Sequence, residues 1–283
     1  MKRLTLVFTV AVWAISIGLV DFPLNAQPIW LTQTEGNFVA IEVLKPNYEG
    51  DRGLSFITSA TFISGRFSVG ENVALVGELP VVYAKATFPM FDFSTGELIV
   101  TESTKTETMV GNPYVGLEFR RPGANNYFEL GVRLPIAPDD KFVAPQIGED
   151  ADFDRFEAFL TDFIPLSGRL NYQKKNASNV VLRLRGGATV FVPTNEGDTE
   201  MFFDYGGQVE FEIQKISIIG GITGRMFVTE DELDLGERTA HQFGASASLN
   251  LGTVSPGIHL RIPIDDEFDA DYILGLNVVI HKK

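Results

Sequence analysis

Residues 240–251 read Ala240-His-Gln-Phe-Gly-Ala-Ser-Ala-Ser-Leu-Asn-Leu251, and apolar and polar residues alternate through most of this stretch. Two later segments, 257–264 and 272–281, repeat the alternation. A period of two is typical of a β-strand with one apolar and one polar face. A soluble sandwich buries the apolar faces between its sheets. An outer-membrane barrel turns them toward lipid and keeps the polar faces in its lumen.

The amino terminus has the plan of a secretory signal peptide. Lys2 and Arg3 precede an apolar stretch over 4–20, and a small-residue site ends at Ala26. We expect cleavage after this site, which leaves residues 27–283 as one outer-membrane β-barrel domain. The alternative is a retained anchor, because the apolar stretch is close to the minimum length that spans a bilayer. An acidic residue and a proline interrupt the run and favour cleavage.

Composition agrees with a single exported β-domain. The chain has 283 residues, 27 Gly, 11% aromatic residues, no Cys and a net charge of -14. Without Cys no disulfide can form, so stability must come from burial and from a closed hydrogen-bond ladder. The acidic balance argues against nucleic acid as a partner, because its phosphates require clusters of Lys and Arg. The length suffices for a barrel of about a dozen strands.

Turn residues and alternation predict twelve strands. They cover residues 37–45, 54–69, 72–87, 106–120, 126–136, 164–174, 179–192, 201–213, 215–228, 239–251, 253–264 and 270–281. Short turns then alternate with long loops, as in outer-membrane barrels, which have short periplasmic turns and long external loops. The predicted fold is therefore an all-β, antiparallel up-and-down transmembrane β-barrel with both termini in the periplasm.

One long external loop contains apolar residues at helical spacing. They are Phe153, Phe156, Phe159, Leu160 and Phe163. These side chains would line one face of a short helix that ends at Pro165. The helix could act as a gate over the barrel mouth, or it could pack on the barrel wall or at the lipid interface.

The long loops also carry acidic clusters, among them Asp150-x-Asp152-x-Asp154. This spacing is similar to the start of a calcium loop, but Arg155 stands where such a loop has glycine and Thr161 where it has glutamate. We predict no metal site and no cofactor. Divalent cations at the cell surface and a solvated, self-repelling loop surface are the two interpretations of the acidic loops.

Alternation places a set of ionisable side chains on the inward faces of the strands. They are Glu78, Glu118, Arg120, Glu129, Arg133, Arg183, Arg185, Asp204, Glu210, Glu212, Arg225, His259 and Arg261. Such residues could form a constriction that selects solutes by charge and size. They could equally form internal salt bridges that fill a narrow lumen and stiffen the wall.

Three phrases carry a family resemblance. Residues 64–83 form a strand, a short polar turn and a strand with Leu-Pro near its end, and Val110-Gly-Asn-Pro-Tyr-Val-Gly-Leu-Glu-Phe-Arg120 follows. Residues 127–135 form a strand that closes on proline. Over about 64–136 the chain resembles the outer-membrane transporter-like barrels grouped with the meta-pathway of phenol degradation, although Asn112 stands where that family usually has Asp. The resemblance implies a barrel that acts as a transporter or channel.

The last strand has the layout of an outer-membrane assembly signal, since Gly275 is followed by outward-facing Val278 and Ile280. Partners of the chain would then be the barrel-assembly machinery, outer-membrane lipid and a small-molecule solute. Acyl transfer needs a nucleophile activated by a base, and the chain has three His and no Gly-x-Ser-x-Gly elbow. We therefore predict no enzyme.

The predicted function is an outer-membrane channel or transporter for small solutes, with hydrophobic or aromatic compounds among the candidates. A non-transport role, in surface binding or in envelope structure through the acidic loops, is the first alternative. A soluble periplasmic sandwich that binds a ligand between its sheets is the second.

Overall fold

The computed structural model describes residues 30, 31, 36–48, 57–92, 99–229, 234, 236–265 and 269–282. The predicted signal peptide, 1–26, lies outside these residues. The strands are β1 (Asn37–Asn47), β2 (Ser59–Ser68), β3 (Val73–Asp92), β4 (Ile99–Val110), β5 (Tyr114–Phe119), β6 (Asn126–Arg133), β7 (Phe163–Lys175), β8 (Val180–Pro193), β9 (Glu200–Ile213), β10 (Ile216–Phe227), β11 (Thr239–Leu249), β12 (Val254–Pro263) and β13 (Tyr272–Lys282). The helices are α1 (Val143–Ala151) and a 3-10 helix (Phe153–Ala158).

These strands form one closed antiparallel barrel with twelve positions in its wall. Neighbours along the chain pair with each other, and β1 closes the barrel by pairing with β13. β4 and β5 share one position, because both pair with β3 and only residues 111–113 separate them. Pro113 has no N–H for the ladder, which suits a break at this point. The predicted twelve-stranded up-and-down barrel is confirmed.

The apolar stripe of each strand faces outward. In β13, Leu274 and Leu276 are 48% and 64% exposed, whereas Asn277 in the same strand is 6% exposed. Exposed leucines beside buried polar groups are the reverse of a soluble protein and match a barrel with lipid outside and a polar lumen. No helix in the described part of the chain combines the length and the hydropathy needed to span a bilayer.

The two ends of the barrel differ. One end, called the short-turn end below, carries the start of β1, the end of β13 and the tight connections 69–72, 176–179 and 214–215. Positive φ at Asn179 and Gln214 lets these turns reverse the chain within a few residues. The opposite, long-loop end carries the longer connections. Residues 134–162, which join β6 to β7 and are called the inner loop below, fold back into the barrel.

The helix in the inner loop lies earlier than we predicted. The α-helix is α1, and residues 153–158 form a 3-10 helix with non-helical φ and ψ at Arg155 (-138° and 25°). Phe163 and Pro165 belong to β7, where they pair with β8. The predicted short helix in this loop is confirmed, but its predicted bounds are wrong, because Arg155 is held by contacts with the barrel wall and Asp162, with φ 64°, turns the chain into β7.

Candidate functional site

The lumen is occupied by the inner loop, and Arg155 is its main attachment to the wall. Its guanidinium donates to Glu78 Oε2 at 2.6 Å and to Asp152 Oδ2 at 2.6 Å, and it pairs with Glu42. The guanidinium carbon also lies 3.7 Å from the centre of the Phe62 ring. One side chain of the loop thus joins β1, β2 and β3, which are neighbours in the barrel.

Glu157 makes the corresponding attachment on the other side of the lumen. Its carboxylate lies 2.8 Å from Arg225 Nη1, 3.5 Å from Arg169 Nη2 and 3.7 Å from Arg133 Nε. Burial by itself would raise the pKa of Glu157, but the three arginines outweigh it and hold the pKa at about 2. This carboxylate is therefore charged at every physiological pH, and its attachment does not depend on pH.

The acidic repeat of the inner loop points inward. Asp152 Oδ1 lies 2.8 Å from Arg261 Nη1, and Asp150 accepts a hydrogen bond of 2.8 Å from the Tyr48 hydroxyl. Asp154 accepts from Trp30 Nε1 at 2.9 Å and from Gln242 Nε2 at 2.7 Å. These carboxylates pair with protein cations and donors, so neither a solvated loop surface nor a calcium loop describes them.

Trp30, which precedes β1 in the chain, lies in the same site. Its side chain is buried, and its ring lies against the inner wall at Gly244, where a Cβ atom would come within 2.5 Å of the ring. Arg261 lies 6.0 Å from the ring centre. The inner loop and Trp30 therefore both occupy the lumen.

The long-loop half of the lumen is apolar. On one side α1 packs against inward residues of the wall, among them Leu44, Phe62 and Val82. On the other side the 3-10 helix contributes to a set of phenylalanines, called the phenylalanine cluster below. Its members are Phe153, Phe156, Phe163, Phe191, Phe202 and Phe227. Ring centres are 4.7 Å apart for Phe202 and Phe227 and 5.2 Å apart for Phe191 and Phe202, which is normal contact for aromatic pairs.

The short-turn half of the lumen is polar. Arg66 binds Glu118 through two nitrogens at 2.6 and 2.8 Å, and Arg120 lies over the Tyr127 ring at 5.0 Å. Arg185 Nε donates to Asn171 Oδ1 at 2.7 Å. Arg183 pairs with Glu210, which also accepts from Ser217. The lumen therefore changes from apolar to polar between its two ends.

Most of the predicted lumen residues face inward. Glu118, Arg120, Glu129, Arg133, Arg183, Asp204, Glu210, Arg225, His259 and Arg261 are buried, and Glu78 and Arg185 are half-buried. Glu212 differs, because its side chain is 36% exposed and pairs with Lys175 at the short-turn rim. Alternation places Glu212 on the inward face of β9, but the residue is next to the last of the strand and lies at the rim, away from a constriction.

Several residues of the site were missed. Glu42 and Arg66 alternate with apolar neighbours as regularly as the predicted residues do, so the same pattern could have found them. Arg155, Glu157 and Trp30 lie outside the strands, where no period marks a residue as inward. Two cavities lie among these groups, with volumes of about 60 and 20 Å³. Spaces of this size hold a few waters, so the described side chains fill most of the lumen at this level.

Asn112 joins the inner loop to the wall between β4 and β5. Its side-chain oxygen accepts from the amides of Ile136 and Ala137, both at 2.9 Å. Its nitrogen donates to the carbonyls of Glu157 and Leu160, at 3.3 and 2.5 Å. An aspartate here could accept the first pair of bonds but could not donate the second pair, which is a physical reason for Asn at this position.

Replacing Asn112 by Asp is therefore expected to loosen the inner loop. Two carbonyls would lose their donor and face a carboxylate, at a cost of about 1–3 kcal/mol. Limited trypsin digestion in detergent micelles measures this effect, because Lys141 lies in the inner loop. We expect cleavage at least about fivefold faster than in Asn195→Asp, an exposed control. Equal cleavage rates would contradict the role of Asn112.

The docking of α1 is expected to depend on pH. Burial, together with the charge of neighbouring Asp150, raises the pKa of Glu149 from 4.5 to about 7. The docked loop therefore binds a proton more readily than the undocked loop, so docking strengthens as the pH falls through 7 and gains nothing further below about 4.5. Trypsin cleavage should be slower at pH 6 than at pH 8.

Glu149→Gln should remove this pH dependence, after correction for the pH profile of trypsin on an unstructured peptide. Asp140→Asn serves as the control, because the Asp140 side chain is 67% exposed. A pH dependence that survives in Glu149→Gln would show that another group titrates.

The comparisons with known proteins concern the fold. No protein-family model and no curated protein matches the chain by sequence. The COG4313 outer membrane channel from Pseudomonas putida F1 matches with a TM-score of 0.56 and 10% identity, over 90% of this chain and 99% of that one. The chain has the fold of an outer-membrane β-barrel. The predicted resemblance to the phenol-degradation family of barrels is confirmed at the level of the fold.

Two other solved barrels match at a similar level. The β domain of the Bordetella autotransporter BrkA has a TM-score of 0.50 and 10% identity, over 88% of this chain and 100% of its own. The NanC porin has a TM-score of 0.50 and 8% identity, over 86% and 100%. A channel, an autotransporter domain and a porin therefore share this architecture, and the function has to be argued from the lumen.

Proposed function

We propose that the chain is an outer-membrane channel for small hydrophobic or aromatic solutes, and that the inner loop is its gate. The observation that carries the proposal is the phenylalanine cluster inside the long-loop half of the lumen. Apolar groups on the outside of a membrane barrel contact lipid. Apolar groups that line its inside do not contact lipid, and they suit an apolar solute. Two of the cluster's members, Phe153 and Phe156, belong to the inner loop, so that movement of the loop changes the lining.

The topology supports a defined orientation in the envelope. Residues 1–26 act as a cleaved signal peptide, and the short-turn end with both termini faces the periplasm. The outward stripes contact outer-membrane lipid. Val278 and Ile280, which are 37% and 43% exposed on the outside of β13, are available to the assembly machinery. Solved channels of the same architecture, the COG4313 channel and the NanC porin, agree with passage of solutes as the role of the barrel. We assign no catalytic role.

Uptake of the hydrophobic fluorophore N-phenyl-1-naphthylamine by intact Gram-negative cells tests the proposal. Cells that produce the protein should take up the dye several-fold faster than cells with an empty vector. Phe202 and Phe203 provide a matched pair, because Phe202 belongs to the cluster and Phe203 is 42% exposed on the outside. Phe202→Ala should change the uptake rate at least about threefold, and Phe203→Ala should leave it unchanged.

A non-transport envelope role is the second candidate, and the closed lumen favours it. The ion pairs of Arg155 and Glu157 would then only fill and stiffen the barrel. A correctly folded protein that gives no dye uptake and no conductance in planar bilayers, even after the gate is weakened, would overturn the channel proposal in favour of this role.

A further inference from the structure

The polar half of the lumen contains a compact group of side chains that the ion-pair attachments of the inner loop do not use. The group, called the arginine patch below, consists of Arg120, Arg183, Arg185, Asn171 and Gln208. Register places these side chains together: Asn171 lies opposite Arg185 between β7 and β8, and Arg183 lies opposite Gln208 between β8 and β9. Arg120 joins them through Tyr127, which lies opposite Asn171.

Hydrogen-bond donors in this patch outnumber the acceptors around them. Arg183 is 4% exposed, and while Nη2 meets Glu210, Nε and Nη1 have no partner among the described residues. The amide of Gln208, 2% exposed, has none for either atom, and Asn171 has none for Nδ2. Buried donors without acceptors are costly, so a ligand that supplies acceptors would bind favourably here.

Charged groups of both signs surround the patch. Glu118 and Glu210 pair with Arg66 and Arg183, and Glu129, opposite Glu118, acts electrostatically on Arg185. Among the described residues, the arginine N–H groups of the patch that lack an acceptor are those of Arg183 beyond its pair with Glu210. A planar guanidinium with two available N–H groups matches a carboxylate in geometry as well as in charge.

An aromatic side chain borders the patch. The Gln208 side chain lies across Gly221, where a Cβ atom would come within 2.6 Å of Gln208 Cγ. Gly221 lies opposite Gly244 in the register of β10 and β11, and the Trp30 ring covers Gly244. Donors of the patch and an indole ring thus follow one another along the inner wall.

We propose that the arginine patch binds the carboxylate of a small organic anion whose apolar part lies toward Trp30. The inference rests on the proposed function and narrows it, because an aromatic carboxylate suits both the apolar half and the polar half of the lumen. A neutral solute of the same size would pass the phenylalanine cluster but has no carboxylate for the arginine patch to bind.

Equilibrium binding to the full chain in detergent micelles tests the site without requiring passage. The proposed cleavage after Ala26 removes Trp13 and leaves Trp30 as the one tryptophan, so its fluorescence reports on ligands beside it. The probes are benzoate and benzyl alcohol, which share a ring and differ in charge. Benzoate should bind at least about tenfold more tightly. Equal affinities, or inorganic phosphate that binds as tightly as benzoate, would overturn the proposal.

An isosteric variant tests the position of the site. Replacing Arg183 would leave Glu210 without its cation, so Gln208→Glu is preferable, because it keeps the shape and adds one negative charge to the patch. It should lower the affinity for benzoate at least about tenfold and change the affinity for benzyl alcohol less than twofold. Asn277→Asp adds the same charge at a buried position on β13, outside the patch, and should change benzoate affinity far less.

Equal effects of the two variants would overturn the assignment to the patch. Dye uptake tests the proposed function separately. If uptake persists while benzoate binding fails, only the carboxylate site is lost, and if uptake fails as well, the channel proposal falls with it.

Discussion

Arg155→Met is expected to open the lumen. The substitution keeps much of the side-chain volume over Phe62 but removes one of the two arginines beside each of three nearly buried carboxylates, Glu42, Glu78 and Asp152. Removing one partner from a buried ion pair costs about 3–5 kcal/mol, because the remaining charge stays desolvated. The barrel wall keeps its own ladder, so the cost falls on the docking of the inner loop.

Conductance in planar bilayers measures this opening. At 1.4 kcal/mol for each factor of ten, the expected cost raises the ratio of open to closed lumen by a factor on the order of 10² or more. Lys141→Met is the matched control, because Lys141 lies in the same loop and pairs with Asp140 at the surface, where ion pairs contribute little. Similar traces from the two variants would show that Arg155 does not hold the gate.

Leu276→Arg is expected to destabilise the barrel in a bilayer. Leu276 lies at the centre of β13, 64% exposed on the outward face, with Ile258 and Val43 opposite it on the neighbouring strands. Arginine at the midplane of a membrane barrel costs about 2–4 kcal/mol. In a soluble sandwich, arginine at an exposed position would cost almost nothing.

Urea titration of folding into lipid vesicles gives the free energy of unfolding for this comparison. Thr101→Arg is the control, because Thr101 is exposed on β4 toward the long-loop end, away from the centre of the wall. If both variants unfold at the same urea concentration, the outward stripe does not contact acyl chains, and the membrane orientation is wrong.

The closed lumen and a channel function are compatible on energetic grounds. Buried ion pairs are costly to break singly, yet their net contribution to stability is often close to zero, because desolvation opposes attraction. Many polar atoms in the lumen, such as Asn171 Nδ2 and Gln208 Nε2, have no partner among the described residues. Water that enters with an opening loop would satisfy them and offset part of the cost of undocking.

Alternation and turn residues determined the twelve positions of the wall, the direction of the strands and the face that most strand residues present. The physical reason is that any apolar side chain is compatible with lipid. The face of a strand residue can therefore be assigned from its own polarity and from the alternation of side chains between the two faces. Leu276 and Asn277 are assigned correctly without any knowledge of their neighbours. Alternation and turn residues did not show that the predicted strand 106–120 is divided between β4 and β5 at residues 111–113.

Only the tertiary structure decided which inward charges meet and what closes the lumen. Arg155 pairs with Glu42, 113 positions away in the chain, and Trp30 reaches Asp154 across 124. Arg155, Asp154 and Trp30 lie outside the strands, where no period fixes a direction, and their partners are set by where the loop enters the barrel. A contact between distant segments depends on both of their positions at once, and no local pattern in either segment contains that information.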